Sequence, residues 1–571
     1  MATPCISQRC GLSGFKLQDN DIIVAMMQNG QQSVMMPNTR SKLEDYGFIE
    51  CVGACPHLGG QATGCHKECT NQVHSPLRES LLKALAYRYE PTPTEAATRM
   101  KWLHQHVSSS PILRLVKPRL PEELRCRIAK YLLEGSSLHR YAVAYAQVLA
   151  KKATNVVPPI SVVAKIWARF VDFEGTRYVS SLSNSCDEGH TERMFAPDAS
   201  RRVKSVHIAE NYLGVMQLLF CYSEQPPAVE SCQGLWWRVI RLYDGPMLLT
   251  STDGVKLRDV VSRDTDTNLH LKYLWSTPPS EPIRLVQLSP IPPSAQLSDL
   301  VCNGPRVTAY SVYWNCRIVY LHAHAEGEDL AFYNGYDDGI WVYCPLEQGE
   351  KVSEIWKYSQ FKRGCVLIFK TTHNRVAYFG PQPKLQPFPV PNLIDLPRQD
   401  GGSRLFFEHS PLGVRMLAFE TPIPTPASYS LALPTPSSQH PKSTFFEPYF
   451  YSTASLDGVV RIVPCQRYVR SMLRITGLLL QFSEGRQCCL GQVRLDSLGS
   501  PFQASSHQAV WLIFSKDDNR PFVSALELSE PEDKKGPCCL EIQVRGQLDW
   551  WFSSRQCQVC YQDKSSPPTR L

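Results

Sequence analysis

The first 75 residues contain six cysteines whose chemistry and spacing suit a metal ion. Cys51 and Cys55 form one close pair, Cys65 and Cys69 form another, and His66 lies beside the second pair. Thiolate sulfur and imidazole nitrogen match the borderline-soft zinc ion, and short loops between ligands limit the entropy lost on closing the site. This pattern predicts one tetrahedral zinc ion with a structural role.

A second ligand set is equally consistent with the spacing. It takes Cys5-x4-Cys10 as one half and His66-x2-Cys69 as the other, and its Cys-Gly and His-x-x-Cys ends are similar to those of many treble-clef sites. Both sets remain open, as does a tail of unligated thiols. The candidate zinc ligands are Cys5, Cys10, Cys51, Cys55, Cys65, His66 and Cys69.

His322, His324 and Glu328 are the other residues that could hold a metal. In a strand the two histidines share a face, and two imidazoles with a carboxylate suit iron or another divalent ion. The spacing up to Gly335 is similar to the latter part of the first cupin motif, although Cys316 replaces its leading glycine and no second motif follows. A metal-dependent enzyme is therefore an alternative interpretation, beside a structural role for the histidines.

Complete catalytic signatures do not occur elsewhere in the sequence. There is no G-x-S-x-G, P-loop, G-x-G-x-x-G or H-E-x-x-H sequence, and the C-x2-C pair at 557–560 has no second pair nearby. We therefore predict a protein without intrinsic catalysis.

Composition and charge narrow the class of partner. The 571 residues are 43% hydrophobic and 20% charged, which predicts a globular chain of roughly two to four domains. Residues 1–157 contain 19 Lys and Arg against 12 Asp and Glu, so the whole net charge of +7 lies there. Because these basic residues are spaced as on a solvated helix face, we predict no nucleic-acid partner.

The sequence also predicts where the protein works. Residues 1–18 lack the apolar segment of a signal peptide, and no later run approaches the ~18 apolar residues of a membrane span. We expect an intracellular protein, cytoplasmic or nuclear, without a membrane partner. In a reducing compartment its 21 cysteines would be metal ligands or buried thiols.

Three segments with different patterns follow one another. Residues 1–75 form the Cys/His-rich, zinc-binding segment, and residues 76–157 read as helices that begin near Pro76, Thr94, Pro121 and Tyr141. Residues 158–571 alternate β-branched or aromatic runs with turn residues, which predicts an all-β recognition region, built as a propeller or as packed sandwiches or prisms. The expected fold class is multidomain α+β.

Turn sequences in the β region combine an acidic residue with glycine, which favours hairpins. They are Phe173-Glu174-Gly175, Thr252-Asp253-Gly254, Asp337-Asp338-Gly339, Leu456-Asp457-Gly458 and Ser483-Glu484-Gly485. Seven tryptophans of this region could expose aromatic platforms for a glycan or fill the core, namely Trp236, Trp237, Trp314, Trp341, Trp356, Trp550 and Trp551. A lectin-like carbohydrate-binding protein is a further alternative.

The LPEEL sequence at 120–124 begins an amphipathic helix within residues 117–135. It resembles the opening of an F-box, whose helix inserts apolar side chains into the Skp subunit of Skp-cullin-F-box ubiquitin ligases. The matching partner-binding residues are Leu120, Pro121, Leu124, Ile128 and Leu132. The tryptophan that F-boxes carry later is missing from 134–150, and a plain core helix is the alternative.

The three-part order as a whole resembles a family of filamentous-fungal proteins, some of them F-box-like. The matching motifs are FEGTRYVSSLSN at 173–184, YSVYWN at 310–315, LHAH at 321–324, YFYS at 449–452 and WWFS at 550–553. The resemblance implies an adaptor with Skp and cullin subunits as partners and a β region that binds a client protein or glycan. The client, the pathway and the oligomeric state are not encoded in any recognisable motif.

Overall fold

The structure is a computed structural model of the chain. It describes residues 3–26, 32–51, 60–73, 75–91, 93–109, 120–132, 135–150, 158–187, 192–223, 225–232, 234–242, 247–262, 273–280, 283–290, 296–360, 364–383, 390–410, 412–425, 431–442, 447–506, 508–531 and 539–567. Two compact units contain them, Met1–Pro279 and Ser280–Leu571. Cys55 and residues 117–119 of the F-box-like motif lie outside the described residues.

The first unit begins with a small mixed sheet of order β3-β2-β5-β1-β4. Its strands are β1 (Cys5–Ile6), β2 (Ile22–Met26), β3 (Gln32–Pro37), β4 (Ile49–Glu50) and β5 (Gln61–His66), with helices α1 (Arg40–Asp45) and α2 (Lys67–Gln72). Strand β1 is parallel to β4 and β5, whereas β2 is antiparallel to β3 and β5. Because α2 follows β5 directly, His66 ends the strand and Cys69 lies in the first turn of the helix.

Four helices follow the small sheet. They are α3 (Ser75–Leu85), α4 (Pro93–Ser108), α5 (Glu122–Leu132) and α6 (Ser136–Ala150). The predicted helix starts near Pro76, Thr94 and Pro121 are confirmed, whereas the helix predicted to begin near Tyr141 begins at Ser136. Gly135, between α5 and α6, has the left-handed φ of +57° that is common where a helix ends. In α5 only Ala129 is fully buried, in a cluster with Leu103, Val107 and Leu138 of the neighbouring helices.

Ten strands complete the first unit. They are β6 (Ile160–Ser161), β7 (Ile166–Phe173), β8 (Thr176–Ser183), β9 (Glu192–Phe195), β10 (Ser205–Asn211), β11 (Gly214–Cys221), β12 (Trp236–Arg241), β13 (Met247–Thr252), β14 (Leu257–Ser262) and β15 (Leu274–Trp275). They pair in the orders β8-β7-β9, β14-β13-β6 and β11-β10-β12-β15. The region after residue 158 is therefore built from strands here, as the sequence predicted.

The turn at Glu174-Gly175 shows why this sequence favours a hairpin. It joins β7 to β8, and both residues have positive φ, +48° and +80°. Two central residues with positive φ give a turn whose twist matches that of the paired strands. Gly175 also faces the Trp102 ring so closely that a Cβ atom there would lie 2.2 Å from it. Both the conformation and the contact require glycine.

One hydrophobic core joins all three sequence segments within the first unit. Its members include Cys10, Cys65, Leu81, Val143, Phe173, Tyr178, Tyr212 and Val255. Strands from beyond residue 158 thus cover the small N-terminal sheet and the helices. The segment boundaries at residues 75 and 157 stay a prediction about where the sequence pattern changes. Because the core contains residues from both sides of position 157, a chain cut there would expose it.

His207 is a buried histidine that makes the stability of the first unit depend on pH. Its side chain lies in β10, and burial lowers its pKa to about 4, against a usual 6.5. A lowered histidine pKa means that the unfolded chain binds the proton first, so stability is lost as the pH falls from about 6.5 towards 4. At about pH 5 this pKa difference lowers the free energy of unfolding by roughly 2 kcal/mol.

We therefore expect the wild-type first unit to be less stable at pH 5 than at pH 7, and His207→Gln to show a smaller difference. Urea unfolding of the full chain at both values measures this, followed by tryptophan fluorescence. His104→Gln, on helix α4, is the matched control. An unchanged pH difference in His207→Gln would mean that other groups cause the loss.

The second unit contains strands from beginning to end. They are β16 (Arg284–Gln287), β17 (Gln296–Cys302), β18 (Val307–Trp314), β19 (Ile318–Ala325), β20 (Ile340–Pro345), β21 (Val352–Gln360), β22 (Gly364–Thr371), β23 (Val376–Phe379), β24 (Asn392–Asp395), β25 (Ser403–Glu408), β26 (Met416–Phe419), β27 (Phe450–Ser455), β28 (Val459–Val469), β29 (Met472–Phe482), β30 (Gln487–Gly491), β31 (Phe502–Gln503), β32 (Ala509–Asp517), β33 (Arg520–Glu527), β34 (Cys539–Gln543), β35 (Gln547–Phe552), β36 (Cys557–Tyr561) and β37 (Lys564–Ser565). Short 3₁₀ helices lie at Leu330–Tyr333 and Leu495–Ser497. The prediction of a β-rich protein is confirmed.

These strands form five sheets in the described part of the second unit. Their orders are β17-β25-β26-β16, β19-β18-β20, β23-β22-β21-β24, β27-β35-β36-β37 and β31-β28-β29-β33-β32-β34, with β30 paired to β29. One large hydrophobic cluster, from Leu300 to Tyr561, contains residues of all five sheets. The five sheets therefore share one hydrophobic core.

Candidate functional sites

Cys10, His66 and Cys69 converge in the first unit, and their ligand atoms all lie within 4.8 Å of one another. Cys10 stands at the start of a tight turn in which the Gly14 amide donates to its carbonyl oxygen over 2.7 Å. Cys69 Sγ lies 3.8 Å from His66 Nδ1, and the His66 amide donates to Cys10 Sγ over 3.4 Å. The separation of 3.8 Å between Cys69 Sγ and His66 Nδ1 suits the edge of a tetrahedral zinc site.

Cys65 lies beside this cluster and is the candidate for a fourth ligand. Its side chain hydrogen-bonds with that of Cys10, and it is fully buried. The group then contains three thiols and one imidazole, a common composition for structural zinc. Cys5, Cys51 and Cys65 are not members of the three-residue group that the described residues form. The structure thus brings together Cys10, His66 and Cys69 of the second predicted set, and burial and the interaction with Cys10 make Cys65 the candidate for the fourth position.

The electrostatics of the cluster favour a thiolate. Burial raises the pKa of the Cys10 thiol. Hydrogen bonds with Cys65, Cys69 and His66 together lower it by more, so its pKa lies well below the usual value. Burial lowers the pKa of His66, but the hydrogen bond and charge of Cys10 outweigh it, so the net shift is upward. A divalent cation would stabilise further thiolates in the same space.

Two partners of His66 were not predicted from the sequence. Asp21 Oδ2 lies 3.3 Å from His66 Nε2, on the side of the ring away from the thiols, as in the carboxylate–histidine–zinc arrangement. The His139 ring of α6 stacks on His66 with a centroid separation of 4.2 Å. Both residues are distant in sequence and belong to no motif, so no local signal could have identified them.

The F-box-like helix leaves its predicted docking residues partly uncovered. Leu124 is 43% exposed, Tyr131 68% and Leu132 53%, while Ile128 is half-buried. With 100° of rotation per residue, these side chains form one stripe beside the buried Ala129. A plain core helix would bury that stripe. Here Leu124 and Leu132 are instead exposed to solvent. Leu120 and Pro121 precede the helix; Leu120 is half-buried, and Pro121 is exposed.

His322, His324 and Glu328 form the third candidate site, in the second unit. His322 and His324 lie two residues apart in β19, and Glu328 follows the turn that leaves this strand. Glu328 Oε2 lies 2.9 Å from His322 Nε2, and Glu328 Oε1 lies 2.5 Å from His324 Nδ1. The Glu328 carboxylate thus bridges the two imidazoles. It can do so because His322 and His324 lie on the same face of the strand, as predicted.

Ser311 of β18 extends this cluster to a fourth residue. Its Oγ lies 2.7 Å from His324 Nε2, so serine, histidine and glutamate have the atom order of a hydrolase triad. Ser311 is fully buried inside the sheet, however, and a substrate carbonyl cannot reach its hydroxyl. The hydrogen bond therefore orients His324 and supplies no nucleophile.

A third group of possible metal ligands contains Glu347, Glu350 and His373, whose ligand atoms also lie within 4.8 Å of one another. Arg375 Nη1 lies 3.4 Å from a carboxylate oxygen of each glutamate. Because this guanidinium already supplies positive charge to the group, we assign no metal to it. The seven tryptophans considered as glycan platforms are all buried, so they belong to the core.

Comparison with known proteins adds no assignment. The chain matches no model of a known protein family and no curated protein sequence. None of the described helices is both long and apolar enough to cross a membrane.

Proposed function

We propose that this protein is a non-enzymatic intracellular adaptor of the F-box type. Helix α5 would bind the Skp subunit of a Skp-cullin-F-box ubiquitin ligase, and the second unit would recognise a client protein or glycan. The observation that supports this proposal best is the exposure of Leu124 and Leu132 on a helix that packs on its neighbours through the adjacent Ala129. A groove on the partner would bury those side chains.

In this proposal the Cys/His cluster has a structural role that supports the adaptor function. We propose that one zinc ion is held by Cys10, Cys65, His66 and Cys69. Its four ligands would come from the turn after β1, the end of β5 and the start of α2, and the three cysteines belong to the core that also contains Val143 of α6. Zinc would thereby help to hold the helical segment from which α5 presents its leucines.

Replacing Leu124 and Leu132 together by alanine is expected to abolish binding to a purified Skp subunit. Each truncation removes apolar area that would otherwise be buried at the interface, and central contacts of this kind cost on the order of 2 kcal/mol each. The full chain should show saturable binding by isothermal titration calorimetry, and the double variant at least about a hundredfold weaker binding.

The matched control is Arg127→Ala with Lys130→Ala, which changes two exposed residues of α5 outside the apolar stripe. This variant should bind like the wild type. Co-purification of Skp and cullin subunits with the full chain from cells, identified by mass spectrometry, tests the same proposal in its ligase context. If the wild-type chain does not bind the Skp subunit, the ligase proposal is wrong and α5 has another partner or none.

A further inference from the structure

The His322, His324 and Glu328 cluster has the composition and placement of a metal centre, although the proposed adaptor function does not use it. Its three ligand atoms lie within 4.8 Å of one another, and the two distances to Glu328 are close to those between neighbouring ligands of one ion. At a ligand-to-metal bond of ~2.1 Å, adjacent ligands at right angles are about 3 Å apart.

The fold builds this arrangement from elements that fix each side chain. Strand β19 places both imidazoles on one face, and the turn at Glu326-Gly327 returns the chain, with Gly327 at a φ of +71°. The 3₁₀ helix that follows stacks Phe332 on the His322 ring at a centroid distance of 3.7 Å. The three ligands are therefore oriented by the backbone and by packing before any ion binds.

The hydrogen bonds allow the site to exist with and without an ion. Without one, both imidazoles donate to Glu328, and Ser311 donates to His324 Nε2. In the other tautomer of His324, Nε2–H donates a hydrogen bond to the Ser311 hydroxyl oxygen, and Nδ1 offers its lone pair to a cation. His322 likewise binds a cation through Nε2 only in the tautomer that carries its proton on Nδ1. Ser311 is thus the outer partner that metal-bound histidines usually have. No net loss of a proton from His324 is needed.

Charge and access also favour a cation. Among the described residues, the ion-pair partners of Glu328 are these two histidines, so no lysine or arginine balances an ionised carboxylate. His322 is 20% exposed and Glu328 16% exposed, which leaves one side open to solvent.

We propose that His322, His324 and Glu328 bind one divalent first-row transition-metal ion, with Ser311 as the orienting partner. Imidazole and carboxylate select this class over magnesium and calcium, which prefer oxygen ligands alone. Water or a small ligand from solvent would complete the coordination at the open side. The proposal is independent of the adaptor function and of the zinc cluster in the first unit.

The test uses the full chain with its zinc retained, titrated with Mn²⁺ and followed by the electron paramagnetic resonance signal of the free ion. Mn²⁺ binds poorly to thiolates, so the Cys/His cluster does not compete. We expect one saturable site in the wild type. Glu328→Gln and His322→Ala should each weaken it at least about tenfold, since even outer partners of metal ligands have effects of that size.

His373→Ala is the control, because it alters the acidic group beside Arg375 and should leave Mn²⁺ binding unchanged. Thermal melts of each variant check folding, and Glu328→Gln retains the shape of the side chain if His322→Ala does not fold. Equal Mn²⁺ affinity in the wild type and in folded Glu328→Gln would overturn the proposal. So would the absence of saturable binding of both Mn²⁺ and Co²⁺ by the wild type, which would leave a hydrogen-bonded cluster only.

Discussion

Replacing Cys69 by serine is expected to remove the proposed zinc ion and to unfold the N-terminal part of the first unit. Cys69 is fully buried, and its thiol contacts both Cys10 and His66. Structural zinc contributes about 10–16 kcal/mol in zinc-finger peptides, which is as large as the whole stability of a typical domain. Loss of one ligand therefore affects folding as well as metal content.

Metal analysis of the purified chain measures the first effect, and circular dichroism with thermal melting measures the second. The wild type should contain one zinc ion per chain, and Cys69→Ser well below one. A chelator added to the wild type should lower its melting temperature in the same direction. A zinc-free wild-type chain with an unchanged melting temperature would show that the four residues pack as ordinary thiols.

Two further serine variants separate the candidate ligand sets. Cys65→Ser should lose zinc if Cys65 is the fourth ligand, whereas Cys5→Ser should keep it. The opposite result would restore the pairing of Cys5 with Cys10. Cys186→Ser is the control for loss of a thiol in general, since Cys186 is exposed and lies in the β region.

Replacing Arg99 by methionine is expected to destabilise the first unit by about 3–5 kcal/mol, because it leaves a buried carboxylate without its partner. Arg99 of α4 pairs with Glu174 through two hydrogen bonds, Nε to Oε2 at 2.5 Å and Nη2 to Oε1 at 2.8 Å. The side chains of both residues are less than a tenth exposed. Arg99 Nη2 also donates to the Ser13 carbonyl over 2.7 Å.

This ion pair joins three parts of the first unit. Ser13 belongs to the turn that carries Cys10, Arg99 to the helical segment, and Glu174 to the hairpin between β7 and β8. A broken pair should therefore loosen the packing of all three. Urea unfolding measures the loss, and a double-mutant cycle with Glu174→Gln isolates the pair from other contacts of either side chain.

The double variant should be more stable than the sum of the single losses implies, because it no longer buries an unpaired charge. The exposed pair Lys83 and Glu79 on α3 is the control, and Lys83→Met should leave the unfolding midpoint nearly unchanged. If Arg99→Met behaves like that surface variant, water must reach Glu174 in solution and the pair contributes little.

Much of the local structure could be predicted from the sequence. The helix starts near Pro76, Thr94 and Pro121 follow from proline and capping preferences, which act within one turn of the chain. The Glu174-Gly175 hairpin follows from a turn that needs positive φ. The face shared by His322 and His324 follows from the alternation of side chains along a strand. These rules involve neighbouring residues only.

The tertiary structure alone decided which residues form each site. Cys10 and His66 are 56 positions apart, and their contact depends on the pairing of β1 and β2 with β5, so spacing could not choose between the two zinc sets. Asp21, His139 and Ser311 joined the sites through folding and belong to no motif. Exposure of Leu124 and burial of the seven tryptophans were likewise undetermined, because the same apolar residue suits a core or an interface until its neighbours are placed.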